Sequence, residues 1–165
     1  MKQLRIFTTT LLISFFVFLV ACVSVTLKTD GPQTAQGLVY EEPQGQFKRT
    51  SDKVFPSWIQ EKTGHIISLM SECGNADPSL EALQAEAMQS IDEAQLIKEE
   101  RINYQQKEAL KTTFSGKINN VDTKVQSLVF KKSNCSFTFT FAGRKQNFES
   151  EIKHFEKLLE SVKVP

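Results

Sequence analysis

The pattern of hydrophobic and polar residues in the second half of the chain predicts β-strands. Residues 135–143 read "CSFTFTFAG", in which phenylalanine alternates with serine or threonine. A period of two places successive side chains on opposite faces of a strand, so we expect the phenylalanine face to be buried and the threonine face to meet water. Alternation, or enrichment in β-branched and aromatic residues, predicts further strands at 65–73, 94–104, 108–118 and 123–132. Residues 94–104 are polar for a strand, and an extension of the preceding helix is the alternative there.

Two other segments have the period of an amphipathic helix. In residues 75–91, Asp77 is a suitable N-cap and Pro78 suits the first helical position. In residues 146–162, one face carries five apolar side chains at helical spacing: Phe148, Ile152, Phe155, Leu159 and Val162. We expect this face to cover the phenylalanine side of the sheet. The residues therefore predict an α+β fold, an antiparallel sheet of about five to six strands with helices on one side.

The segment before residue 65 has weaker patterns. Residues 37–48 predict a short strand, a Pro-Gly turn and a second strand. Residues 51–64 end in Gly64 and predict a short helix or helical turn. They contain the only tryptophan of the chain, Trp58, which we expect to pack in the core or at its rim, with ligand stacking as the alternative.

The first residues of the chain have the composition of an export signal. Lys2 and Arg5 precede an uncharged apolar run over residues 6–19, which is the arrangement of a secretory signal peptide. Residues 6–27 carry no charge either, so an uncleaved transmembrane helix is an alternative. Ordinary secretion without lipid is a second alternative.

The end of this apolar run resembles a bacterial lipobox. Residues 19–22 read "LVAC", and in lipoprotein precursors the cysteine thiol of this motif receives a diacylglycerol before the chain is cleaved in front of it. We therefore predict a lipoprotein signal peptide at 1–21 and lipidation of Cys22. Acyl chains anchor a protein firmly, since each buried methylene contributes about 0.8 kcal/mol. Residue 23 is Val and not Asp, which favours the outer over the inner membrane.

Composition then limits the remainder of the chain. Residues 22–36 lack strong periodicity and predict a flexible tether, and residues 37–165 are expected to form a single α+β domain. The chain has 20 basic and 19 acidic side chains. Two of the basic ones and none of the acidic ones lie in 1–21, so the remainder has 18 against 19 and a net charge near −1. We therefore expect no nucleic-acid partner, because non-specific nucleic-acid binding needs a basic surplus.

Two cysteines remain after Cys22. Cys73 and Cys135 in an exported domain most simply form one disulfide, which closes a loop of about 60 residues and is worth about 4 kcal/mol in the chain-entropy model. A metal pair and free thiols are the alternatives. No histidine lies near either cysteine in the sequence, which makes a zinc site a poor fit.

Candidate catalytic residues are few. His65 is expected at the surface, at the start of a strand, and His154 on a solvated helix face, three residues after Glu151. A carboxylate metal site would need a second such Glu-x-x-His pair. No P-loop, dinucleotide, zinc-protease or serine-hydrolase motif occurs. The sequence therefore predicts no metal, no cofactor and no enzyme activity, with Glu41, Glu42, His65 and His154 as candidates for the alternative, a small envelope hydrolase.

The order of elements resembles that of the small exported PsbP-like lipoproteins, which include the DcrB and LpqN groups. The resemblance covers residues 37–165 and rests on three segments: "SWIQEKTGHIISLMSEC", "KEALKTTFSGKINNVDTKVQSLVFKKSNCSFTFTFAG" and "FEKLLESVKVP". It implies an α/β/α sandwich. It also implies a non-catalytic binding or assembly module, because members of this family serve mostly in that way. It transfers no functional motif residue by residue.

These observations lead to one functional hypothesis. We expect a lipoprotein of the bacterial envelope that faces the periplasm, is held at the membrane by its N-terminal lipid, and binds an envelope protein of unknown identity. A periplasmic inhibitor of the immunity type is a further alternative, since the sequence does not distinguish it from a binding module.

Overall fold

The computed structural model of the chain describes residues 34–51, 55–74 and 76–165. They belong to one compact unit, Gly31–Pro165. The predicted signal peptide at 1–21 and the predicted lipidation of Cys22 lie outside the described residues. Ala35 packs against the core and its N–H donates a hydrogen bond to the Ser71 hydroxyl, 3.0 Å away. The compact unit thus begins before residue 37, the boundary that composition suggests.

Seven antiparallel strands form one sheet, one or two more than the sequence predicts. Their order across the sheet is β1-β2-β3-β7-β6-β5-β4. Two-residue turns in which both residues have positive φ join β4 to β5, β5 to β6 and β6 to β7, as in type I′ hairpins. The strands are β1 (Phe47–Arg49), β2 (Ser57–Gln60), β3 (His65–Cys73), β4 (Asp92–Tyr104), β5 (Lys107–Ile118), β6 (Val121–Lys132) and β7 (Cys135–Arg144).

Two α-helices of the described part of the chain lie on opposite faces of this sheet. Helix α1 (Leu80–Met88) packs Leu80 and Leu83 against β5 and β6, on Leu110 and Val129. Helix α2 (Phe148–Ser161) covers the phenylalanine face of β7 through the apolar stripe that the sequence predicts. The expectation of helices on one side was wrong, and the α/β/α arrangement implied by the family resemblance is confirmed. The reason is that β5 and β6 bury apolar side chains on both faces, so each face needs cover.

Two local predictions also need correction. The described residues of 51–64 contain no helix: Ser57–Gln60 is strand β2, in which Trp58 pairs with Ile67 of β3. Four residues are too few to separate a strand from a helical turn by periodicity. Helix α1 begins at Leu80 and not near Asp77, because the Ser79 side chain accepts the Ala82 N–H at 3.1 Å and caps the helix.

A disulfide joins the two strands at the centre of the sheet. Cys73 ends β3 and Cys135 begins β7, and the two residues are direct cross-strand partners. Their Cα atoms are 4.0 Å apart and their Sγ atoms are bonded. The structure thus contains the pairing that the cysteine pattern predicts. Among the described residues, no helix is long and apolar enough to cross a membrane.

Candidate functional site

The sheet face under α1 is only partly covered, and this leaves a groove. Helix α1 packs against β5, β6 and β7. The neighbouring part of the same face, on β3, keeps Ile66 and Met70 42% and 43% exposed. The helix forms one wall of a groove and the uncovered stretch of sheet forms its floor. Ligand-binding sites are usually concave in this way.

The groove has a volume of about 580 Å³. Its floor is the β3–β7 pair, in which Met70 lies opposite Thr138 and Glu72 lies opposite Ser136. One wall is the C-terminal half of α1 and the turn after it. The residues that line the groove are Phe55, Met70, Ser71, Glu72, Leu83, Glu86, Ala87, Gln89, Ser90, Ser136, Thr138 and Thr140.

A row of hydroxyl groups crosses the sheet and passes from this floor to beneath α1. Strand pairing places five side chains side by side on five adjacent strands: Ser57, Ser68, Thr140, Ser127 and Thr112. The hydroxyls of Ser68 and Thr140 are 2.6 Å apart, at the edge of the groove. Because directly opposed residues share a face of the sheet, the row connects the groove floor with the underside of the helix.

Under α1 this row becomes fully buried. The Ser127 hydroxyl donates to Gln84 Oε1 at 2.6 Å, and Ser127 and Thr112 are 0% and 1% exposed. Gln84 Nε2 and the Thr112 hydroxyl have no partner among the described residues. Buried polar atoms usually have a hydrogen-bond partner. Helix α1 thus packs on a buried polar contact in which two groups have no such partner among the described residues.

Two ionisable side chains line the groove among the described residues, and both are acids. Glu72 and Glu86 are exposed, and neither carboxylate forms an ion pair within the described part of the chain. By contrast, Glu81 at the start of α1 is paired with Arg101. A backbone hydrogen bond, the Ser79 hydroxyl and Arg101 together lower the pKa of Glu81. The groove thus presents negative charge that nearby described side chains do not neutralise.

His65 is not the surface residue that the sequence predicts. It is 0% exposed, on the α2 side of the sheet, and its Nδ1 lies 2.7 Å from Glu151 Oε2 on α2. Its Nε2 lies 3.3 Å from the Arg144 carbonyl oxygen. Both neighbours are hydrogen-bond acceptors. The prediction fails because the strand pairing that buries His65 joins residues far apart in sequence.

The carboxylate of Glu151 belongs to a polar network that ties the β2–β3 turn to α2. It accepts hydrogen bonds from the Thr63 hydroxyl at 3.2 Å and from Gln60 Nε2 at 3.4 Å. Gln60 Oε1 in turn accepts the backbone N–H of Lys62 at 2.6 Å. With His65, these groups hold the start of α2 on the sheet, and the buried ring is not open to a substrate.

His154 is also less exposed than predicted. It is half-buried, its ring centroid lies 5.8 Å from that of Phe47, and its Nδ1 is buried without a partner in the described structure. Burial, with nearby Lys153 and Lys157, lowers the pKa of His154 against the opposite effect of Glu151. The Glu-x-x-His spacing on α2 therefore does not make a joint site, because Glu151 turns to His65.

Trp58 packs in the core, as predicted. It is 1% exposed, its ring meets Tyr40 edge-on at 5.4 Å, and its indole N–H donates to Glu42. Arg49 Nη1 binds the other Glu42 oxygen at 3.1 Å. Glu41 contributes a backbone N–H to the Ser161 hydroxyl at 3.0 Å. The four hydrolase candidates thus lie in separate surroundings, and none of them lines the groove.

Within the described residues, no group of three or more histidine, cysteine, aspartate or glutamate side chains is arranged to hold a metal ion. Sequence reasoning missed the groove, Glu151 as the partner of His65, and the hydroxyl row. The alternating serines and threonines of 135–143 were the one signal available for the groove, since they marked a face that can meet water.

This chain is similar to known proteins in structure and not in sequence. No protein-family model matches the chain, and no curated protein sequence matches it. Several solved structures are similar, including the following three. LpqN of Mycobacterium tuberculosis, described as involved in cell envelope biogenesis, has a TM-score of 0.51 at 10% identity, over 84% of this chain and 88% of LpqN.

The other two structures lead to the same fold. PA94, a Pseudomonas aeruginosa protein of unknown function, has a TM-score of 0.51 at 10% identity, over 82% of this chain and 84% of that chain. CyanoP, the PsbP of Synechocystis sp. PCC 6803, has a TM-score of 0.51 at 14% identity, over 79% of this chain and 83% of that chain. At these identities the likeness concerns the fold, and the fold of this chain is the PsbP-like α/β/α sandwich.

Proposed function

We propose that this protein is a lipid-anchored, non-catalytic binding module of the bacterial envelope. The observation that carries the proposal is the open groove between α1 and the β3–β7 pair. It combines apolar side chains with hydroxyls and two acids, which suits recognition of a partner. The histidine with the closest carboxylate, His65, is 0% exposed, and this favours a structural role for that pair over acid–base catalysis.

The membrane anchor in this proposal is the lipid on Cys22. The residues before it match a lipobox, and residue 23 is Val, so the proposed location is the periplasmic side of the outer membrane. The description of LpqN as a protein of cell envelope biogenesis supports an envelope role. The protein partner is a component of the same envelope.

The anchor is tested by the intact mass of the full chain extracted from membranes. We expect a mass for residues 22–165 plus acyl chains, and loss of membrane attachment in Cys22→Ala. The mass of the uncleaved chain without acyl groups would contradict the lipid anchor and would indicate an uncleaved helical anchor in its place.

The groove is tested by site-specific photocrosslinking in cells. A crosslinker at Thr138, on the groove floor, should capture a defined envelope protein. The same crosslinker at Glu160, exposed on the opposite helix, should not. The Ala87→Trp variant, which fills the groove, should remove the Thr138 product. Identical products from both positions, or no change with Ala87→Trp, would contradict a binding role for the groove.

A further inference from the structure

We propose that the groove between α1 and the β3–β7 pair binds a short, extended segment of a partner protein that carries apolar side chains next to lysine or arginine. This inference rests on the proposed binding function and names the chemistry of its partner. It is argued from the openness of the groove, its length, its apolar lining and its charge.

The groove is open, which favours a segment of a macromolecule over a small enclosed ligand. Pockets for small molecules bury most of the ligand surface. Here five of the lining residues are exposed: Met70, Glu72, Glu86, Gln89 and Ser90. A ligand on this floor keeps one side in solvent, as a bound peptide does.

The length of the floor fits an extended peptide. It follows β7 from Ser136 to Thr140, with Glu72 to Met70 of β3 beside it, and five strand residues span about 13 Å. An extended segment of about five residues has the same length. The hydroxyls of Ser136 and Thr138 lie along this path and can bond to peptide groups, which serine and threonine do as both donor and acceptor.

The apolar lining gives the segment its hydrophobic positions. Leu83 and Ala87 project from α1, and Met70 lies on the floor. Methionine is flexible and polarisable, and it adapts to side chains of different shape. Alternate side chains of an extended segment point to one face, so apolar residues at every second position meet this lining.

The charge of the groove selects basic residues. Glu72 lies on the floor and Glu86 on the α1 wall, and among the described residues that line the groove there is no lysine, arginine or histidine. Both carboxylates are exposed and Glu72 lies at one end of the floor, so a long, flexible lysine or arginine side chain at the alternate, outward positions can bend back to the rim and reach them, while a negative side chain is repelled. Neither carboxylate has an ion-pair partner among the described residues. Charge patterns of this kind contribute more to specificity than to affinity.

The experiment compares two synthetic peptides on the folded protein, acetyl-Leu-Lys-Leu-Lys-Leu-amide and its counterpart with glutamate in place of lysine. Binding is measured by titration calorimetry and by amide chemical shifts of Thr138 and Ala87. We expect the lysine peptide to bind at least about tenfold more tightly in low salt, with the difference shrinking as salt is added. The Glu72→Gln/Glu86→Gln variant should reduce the preference to less than about threefold.

A matched control variant makes the same change in charge at two positions outside the groove. Glu99 lies on β4, across the sheet, and Glu160 lies on α2, so Glu99→Gln/Glu160→Gln should retain the preference for lysine. The Ala87→Trp variant should abolish binding of both peptides.

Other outcomes would overturn the inference. Equal binding of the two peptides, blocked by Ala87→Trp, would contradict the basic partner while leaving the proposed binding function intact. Binding of decyltrimethylammonium in the groove without binding of either peptide would identify a small amphiphile as the ligand and contradict a protein segment. If the peptides bind with the expected preference but the photocrosslinker at Thr138 captures no envelope protein in cells, the proposed function is contradicted.

Discussion

At the scale of single residues, Gly143 decides whether His65 can be buried. A Cβ on Gly143 would lie 1.5 Å from His65 Cδ2 and 2.5 Å from Cγ. The ring of His65 thus occupies the space that any other residue at 143 would fill. Because His65 also bonds to Glu151, the ring has no alternative position that keeps the network on α2.

We therefore predict that Gly143→Ala lowers the free energy of unfolding by about 3 kcal/mol or more, as expected for overpacking of a closed core. Urea denaturation measures the loss. Gly74→Ala is the control, because nothing lies within 4 Å of its Cβ, and it should be close to neutral. If Gly143→Ala does not fold, His65→Ala/Gly143→Ala should still fold, since the clash is removed. A Gly143→Ala variant as stable as the parent would contradict the packing.

The sequence could not reveal this relationship. It places His65 correctly at the start of a strand. However, Glu151 is 86 positions away, and the contact with Gly143 exists only because β3 pairs with β7. Burial of a polar side chain by partners so distant in sequence has no local signal, whereas alternation of apolar residues does.

At the scale of elements, the attachment of α1 to the sheet combines a small apolar contact with a polar one. Leu80 and Leu83 meet Leu110 and Val129. Beside them Gln84 binds the buried hydroxyl of Ser127. A buried pair of polar groups that bond to each other has little effect on the free energy of unfolding. If one partner is removed, the other stays buried without a hydrogen bond, and its full desolvation penalty destabilises the fold.

The prediction for this contact is a non-additive pair. Ser127→Ala should lower the free energy of unfolding by about 1–3 kcal/mol, because Gln84 Oε1 loses its partner while it stays buried. Gln84→Leu/Ser127→Ala should recover much of the loss. Ser51→Ala, at an exposed position, should be neutral. Urea midpoints at unchanged slope provide the measurement, and a double variant no more stable than Ser127→Ala would be evidence against the contact.

Elements with a strong local period were predictable, and elements defined by tertiary contact were not. Strand β3 has the predicted bounds, 65–73, and β7 extends the predicted 135–143 by one residue. Strand β2 was missed, since its four residues are held by pairing with β1 and β3. The sequence did not predict that α1 lies on the face opposite α2. Strands β5 and β6 bury apolar side chains on both faces because of how they pack, and apolar and polar residues do not alternate cleanly in their sequences.

At the scale of the whole molecule, the sheet consists of two parts that meet at β3 and β7. Strands β4 to β7 form a meander of consecutive hairpins, and β1 to β3 form a smaller antiparallel group. The two groups share the groove floor and are joined by the disulfide between Cys73 and Cys135. The larger core, on the α2 side, also crosses this junction, with Ile67 and Leu69 beside Phe139 and Phe141.

This arrangement leads to the last prediction. The disulfide closes a loop of 62 positions, so its removal should cost about 2–4 kcal/mol and lower Tm on the order of 10 °C. The strands remain paired by hydrogen bonds and the α2-side core, so the fold should persist. In the Cys22→Ala background, Cys73→Ala/Cys135→Ala should melt at the temperature that reductant produces in its disulfide-bonded parent, and reductant should not shift the double variant further. A parent unaffected by reductant at full reduction would show that the loop closure contributes nothing, and that pairing of β3 with β7 and the core alone hold the two groups together.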